Sequence, residues 1–156
     1  MKRHLMTELL EWKNNEQRKP LLIRGVRQCG KTWLLKEFGK LYFQDVAYFN
    51  FEGNDALGAR FDNDLDVMRI IKELGVLRNT VIQPGKTLII FDEIQFCNRA
   101  LTSLKYFCEE ASEYHVVCAG SLLGVALSKQ CRYSLVEIHI GRTAMCPGLQ
   151  IGHIAA

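Results

Sequence analysis

The chain has 156 residues, 48% of them hydrophobic and 24% charged, which excludes a disordered or fibrous chain and allows one core to form without disulfides or structural metal. Its formal net charge of +3, with Lys and Arg scattered, falls short of the basic face that marks a nucleic-acid footprint, so nucleic-acid binding is neither shown nor excluded. Cys29, Cys97, Cys108, Cys118, Cys131 and Cys146 stand far apart, without a C-x-x-C pair or a histidine at ligand spacing, and neither a zinc site nor a redox pair is expected.

Leu5, Leu9 and Trp12, with Glu8 and Glu11 between them, have the spacing of a helix with one buried face, ending before Pro20. Pro20 to Arg24 is a short apolar run stopped by Gly25 and reads as a buried strand. Helical spacing returns with Leu34, Leu35, Phe38, Leu41 and Tyr42, and Val46 to Phe51 makes a second strand of aromatic and β-branched residues. A short helical pattern around Leu57 and Phe61 precedes a clearer one through Val67, Ile70, Ile71 and Leu74, introduced by Asn63-Asp64 and stopped by Gly75. Thr87 to Phe91 is a third strand, ending in Asp92-Glu93. An amphipathic helix follows from Ala100 to Ala111, with Asn98 as its expected cap, and His115 to Ala119 forms a fourth strand. The longest nearly apolar run, Val116 to Leu127, is too short to span a bilayer, and Met1 to Trp12 holds no continuous apolar region. The expectation is a cytoplasmic protein without membrane contact. Strands alternating with helices indicate a three-layer α/β fold, with helices on both faces of a parallel sheet and ligands at the carboxyl ends of the strands.

Gly25-Val26-Arg27-Gln28-Cys29-Gly30-Lys31-Thr32 satisfies G-x-x-x-x-G-K-[ST] between a strand and a helix, the Walker A pattern of a P-loop NTPase. Such an octamer arises by chance in a chain this long on the order of half a percent of the time. The two glycines let successive backbone N–H groups aim at phosphates, and the helix beginning near Lys31 adds its positive end. Lys31 would reach the β- and γ-phosphates of ATP and the Thr32 hydroxyl would ligate Mg2+. Asp92, at the tip of an apolar strand, is placed to contact the magnesium directly or through water, as a Walker B residue does. Glu93 is the candidate general base that polarises the attacking water, against the plainer reading of an exposed acidic strand end. Ser121, after Ala119-Gly120, reads equally as a sensor hydrogen-bonding the γ-phosphate or the water and as a helix cap before Leu122-Leu123. Cys29 lies where the loop amides, the helix end and Lys31 favour a thiolate, though an inert small residue serves there as well. Arg132 and Arg142 follow the fourth strand as candidate arginine fingers or as surface charges.

Together these phrases, with Tyr48-Phe-Asn-Phe-Glu52, Leu88-Ile-Ile-Phe-Asp-Glu-Ile-Gln95, Leu101-Thr-Ser-Leu-Lys-Tyr-Phe107 and Ala119-Gly-Ser-Leu-Leu-Gly-Val-Ala-Leu127, resemble a known group over about residues 1–128. It is the AAA-type ATPase family of bacteria and archaea in which an N-terminal P-loop domain precedes a C-terminal domain of uncharacterised function. The resemblance implies an ASCE-type sheet with the Walker B strand beside the P-loop strand, and magnesium-dependent ATP hydrolysis. It implies the same roles for Lys31, Thr32, Asp92 and Glu93, and adds weight to Ser121 as sensor. Gln95 matches the family phrase without a mechanism attached. Residues 129–156 depart from the pattern, with a last strand expected at 135–140, and a truncated or frame-shifted member is the expectation. Two other readings stay open: a nucleotide-binding interaction module without turnover, and a P-loop kinase. The protein or nucleic-acid partner is not readable, and a homo-oligomer is among the possibilities.

Overall fold

In a computed structural model, which describes residues 2–121 and 136–140, the apolar runs become strands of one sheet. Strands β1 (Leu21–Gly25), β2 (Asp45–Asn50), β3 (Thr87–Asp92), β4 (His115–Ser121) and β5 (Val136–Ile140) lie in the order β2-β3-β4-β1-β5. Every pairing is parallel. The intervening helices are α1 (Lys2–Asn14), α2 (Lys31–Tyr42), α3 (Asp55–Gly58), α4 (Val67–Leu77) and α5 (Asn98–Glu110), with 3-10 turns at Ala59–Phe61 and Ile94–Phe96. Among the described residues, no helix is long and apolar enough to cross a membrane.

The expectation that the Walker B strand lies beside the P-loop strand is corrected by the sheet order, in which β4 separates β3 from β1. The two motifs require only that both strands end at the same edge of the sheet. Adjacency is not needed, because a side chain in the first turn of α2 can reach over the end of β4.

Successive strand residues point to opposite faces, and the core divides accordingly. Leu21, Ile23, Leu88, Ile90, Val117 and Ala119 face Leu5, Leu9 and Trp12 of α1 and Leu34, Leu35 and Phe38 of α2. Leu22, Ala47, Phe49, Ile89, Phe91, Val116 and Cys118 face the buried sides of α4 and α5. Strands buried on both faces explain why β1, β3 and β4 read as nearly continuous apolar runs instead of alternating ones. Phe91 sits at the centre of the second layer, its ring 5.5–6.2 Å from those of Phe49, Phe51, Phe61 and Phe107.

Two helix ends differ from expectation. Helix α4 is capped by Asp66, whose carboxylate accepts from the Met68 and Arg69 amides, and not by Asn63-Asp64. It also runs through Gly75 to Leu77. A Cβ at Gly75 would meet the Thr80 carbonyl at 3.2 Å, so this glycine admits a returning loop and does not stop the helix. At α5 the cap position is Cys97, without a side-chain cap bond, and Asn98 is already helical, its carbonyl accepting from the Thr102 hydroxyl.

Candidate nucleotide site

The carboxyl ends of the strands bring the motif residues to one edge of the sheet. Gly25 closes β1 in register with Ser121 of β4, and Asp92 closes β3 in register with Asn50 of β2. The loop between β1 and α2 turns by means of two left-handed residues, Gln28 at φ 60° and Gly30 at φ 85°. No atom stands within 4 Å of a Cβ built on Gly30, so its requirement for glycine is conformational, set by φ and not by space. Gly30 then forms the N-terminal boundary of α2, with its carbonyl accepting from the Leu34 amide. The first amides of α2 are thereby left pointing out of the helix end.

Lys31 is only 5% exposed. Its Nζ donates to the carbonyls of Gly25 at 3.1 Å and Val26 at 2.8 Å, and approaches Cys29 Sγ at 3.7 Å. A buried ammonium is costly unless bonded, and the curled loop supplies the acceptors. Arg27 and Gln28 stay exposed, while Val26, Cys29 and Thr32 are half-buried.

Asp92 is 4% exposed and accepts three hydrogen bonds. Its Oδ2 takes the Thr32 hydroxyl at 2.7 Å and the Tyr48 hydroxyl at 2.7 Å, and its Oδ1 takes the Glu93 amide at 3.1 Å. Residues 60 positions apart in sequence are thus joined by one proton. Tyr48, in β2, carries the ammonium of Lys36 over its ring, 3.6 Å from the centroid. Burial, then the bond to Asp92, then the charges of Asp92 and Glu93 push the Tyr48 phenol well above its ordinary range. It is therefore a neutral donor to Asp92 at any working pH.

Glu93 occupies the left-handed region at φ 50°, a conformation that costs a non-glycine residue on the order of 1–2 kcal/mol. Its carbonyl accepts from the Phe96 amide at 3.1 Å, starting the 3-10 turn, and its half-buried carboxylate accepts from Gln95 Nε2. Ser121 is half-buried at the end of β4. The helix it is expected to cap lies outside the described residues, as do Arg132, Arg142, Cys131 and Cys146.

The structure brings Gly25, Lys31, Thr32, Asp92, Glu93 and Ser121 to one edge. It adds Tyr48, to which the sequence motifs attach no role. Nothing in a β-strand pattern marks a tyrosine for this task; only the register between β2 and β3 sets its hydroxyl on Asp92.

A doubly faced parallel sheet with a phosphate-type loop after β1 and an acidic tip on β3 defines a P-loop NTPase of the three-layer, AAA type. The chain belongs to the AAA domain family, whose profile matches residues 17–147, a span that includes β5. Among solved structures it is similar to Caenorhabditis elegans PCH-2, with a TM-score of 0.55 and 14% identity over 90% of this chain and 42% of that one. It is likewise similar to the Thermotoga maritima RuvB Holliday junction branch migration motor, with a TM-score of 0.54 and 16% identity over 88% of this chain and 44% of that one. At such identities the likeness is one of fold, and the chain spans less than half the length of either structure. A search of curated protein sequences gave no match. Family and fold together define a nucleotide-binding domain of ATPase type.

Proposed function

We propose that this domain binds ATP with magnesium and hydrolyses it. The observation that carries the reading is the 2.7 Å contact between the Thr32 hydroxyl and the Asp92 carboxylate, directly after a buried lysine whose amine is enclosed by the phosphate-type loop. In this reading the loop amides and Lys31 hold the β- and γ-phosphates, and Lys31 exchanges its bonds to the Gly25 and Val26 carbonyls for phosphate oxygens.

Thr32 and Asp92 offer a hydroxyl and a carboxylate oxygen, the hard donors that suit magnesium. Among the described residues no cluster of three or more His, Cys, Asp or Glu could hold a metal alone. Magnesium takes one or two protein ligands and completes its shell with phosphates and water. When bound, magnesium supplies positive charge that neutralises the phosphate oxygens. Tyr48 holds the Asp92 carboxylate in place, and Glu93 takes a proton from the attacking water. Ser121, opposite Gly25, hydrogen-bonds the γ-phosphate or that water.

ATP binding and phosphate release by the 156-residue chain, with magnesium present or chelated, test the proposal. Lys31→Ala is expected to weaken ATP binding about 10- to 100-fold, the loss of charge-assisted hydrogen bonds. Glu93→Gln is expected to keep binding and slow release about 100- to 10,000-fold, the worth of a general base, leaving a measurable residual rate. Binding by the wild type without release under any condition leaves a nucleotide-dependent interaction module, and transfer only to an added small-molecule acceptor leaves a kinase.

A further inference from the structure

Gln95 follows the catalytic candidate by two residues, and its side chain is split in its partners. Its Nε2 donates to Glu93 Oε2. Its Oε1 is buried and has no hydrogen-bond partner among the described residues. Among the described residues the amide's side-chain bond is therefore the one to Glu93.

The segment around it is tied down at several points. Ile94 is fully buried in the core layer of Phe91, the Glu93 amide is tied to Asp92 Oδ1, and the Glu93 and Ile94 carbonyls accept from Phe96 and Cys97. The backbone of Glu93 is therefore locked in a strained conformation, while its carboxylate has three side-chain torsions of its own. Gln95 Nε2 restrains those torsions by its bond to Oε2. A carboxylate that accepts one amide through Oε2 keeps Oε1 for a proton from elsewhere, which is what a general base requires.

We infer that Gln95 is a positioning residue: it orients the Glu93 carboxylate for proton abstraction and acts on the reaction only through Glu93. The inference rests on the proposed hydrolysis. Methionine at position 95 keeps the length of the side chain and removes both the donor and the orphaned acceptor.

Single-turnover phosphate release, ATP affinity and thermal midpoint are measured for the wild-type chain, Gln95→Met, Glu93→Gln and the double variant. Gln95→Met is expected to lower the rate about 10- to 100-fold, as misplacement of a reacting group does. ATP affinity is expected to stay unchanged and the thermal midpoint equal to or above the wild type's. Adding Gln95→Met to Glu93→Gln is expected to cost nothing further. Three results overturn the inference alone: a wild-type or faster rate in Gln95→Met, a rate loss that tracks a fall in thermal midpoint, or the same factor lost again in the double variant. A wild-type chain without turnover overturns the hydrolytic reading, and this inference with it.

Discussion

Asp92 shows how much a single carboxylate depends on neighbours that are remote in sequence. Thr32 and Tyr48 donate to the same oxygen, Oδ2. If the Thr32 hydroxyl turns to magnesium, Tyr48 remains to keep the carboxylate from swinging away. Tyr48→Phe removes one hydrogen bond, a net contribution of about 1 kcal/mol. The expected outcome is a magnesium requirement raised about fivefold in phosphate-release titrations. ATP binding in chelator should be unaltered, because Lys31 and the loop amides do not touch the phenol. Lys36 over the ring face supports the same side chain from α2, so the phenyl ring of the variant keeps its packing.

Among the elements, α2 is the one that joins site to core, and Gly39 sets how closely it lies on the sheet. A Cβ there would fall 2.5 Å from Val46 Cγ2 and 3.2 Å from Leu88 Cδ2. Alanine would gain about 1 kcal/mol of helix propensity, yet the clash with a stiff β-branched side chain exceeds it. Gly39→Ala is expected to destabilise the fold by about 1–3 kcal/mol, as overpacking does. Adding Val46→Ala should recover part of the loss, and urea midpoints of the two single variants and the pair decide it. At the opposite end of the sheet edge, Arg78 follows α4 and grips Asp45, the first residue of β2, with two bonds of 2.6 and 2.8 Å. Hydrogen bonds from Arg78, more than its charge, hold the Asp45 carboxyl below the usual carboxylate range. Helix α4 outruns its glycine because this clasp and the Thr80 amide, bonded to the Gly75 carbonyl, finish it further on.

At the scale of the whole molecule, His115 couples stability to pH. It starts β4, is 5% exposed and packs edge-on against Trp12 and Phe43. Burial first, then the charge of Arg18, pushes it down to about 4. Between the ordinary value of 6.5 and about 4 the unfolded chain binds a proton that the folded chain refuses. Stability is therefore full above that window and falls as pH drops through it, by up to ~3 kcal/mol. In His115→Phe, denaturant midpoints at pH 4.5 and 7.5 should differ less than in the wild type; an equal difference removes His115 as the cause. The strands, the phosphate-type loop and the acidic tip were legible in the chain because each is local: a run of apolar residues, two glycines and a lysine at short spacing, an acid after a strand. Helix ends were less legible, since Gly75 and Asn98 carry the residue types of a stop and a cap, while the loop returning at Thr80 carries α4 past Gly75 and the cap position of α5 falls one residue earlier, on Cys97. The strand order, the reach of Tyr48 to Asp92 and the buried split amide of Gln95 were not legible at all. By itself the sequence determined which residues carry the chemistry proposed for phosphate and cation, because backbone freedom, charge and donor type belong to residues. Only the tertiary structure decided which of them meet, because β4 between β1 and β3, and the register of β2 on β3, are set by how helices cover both faces of the sheet and not by any local pattern.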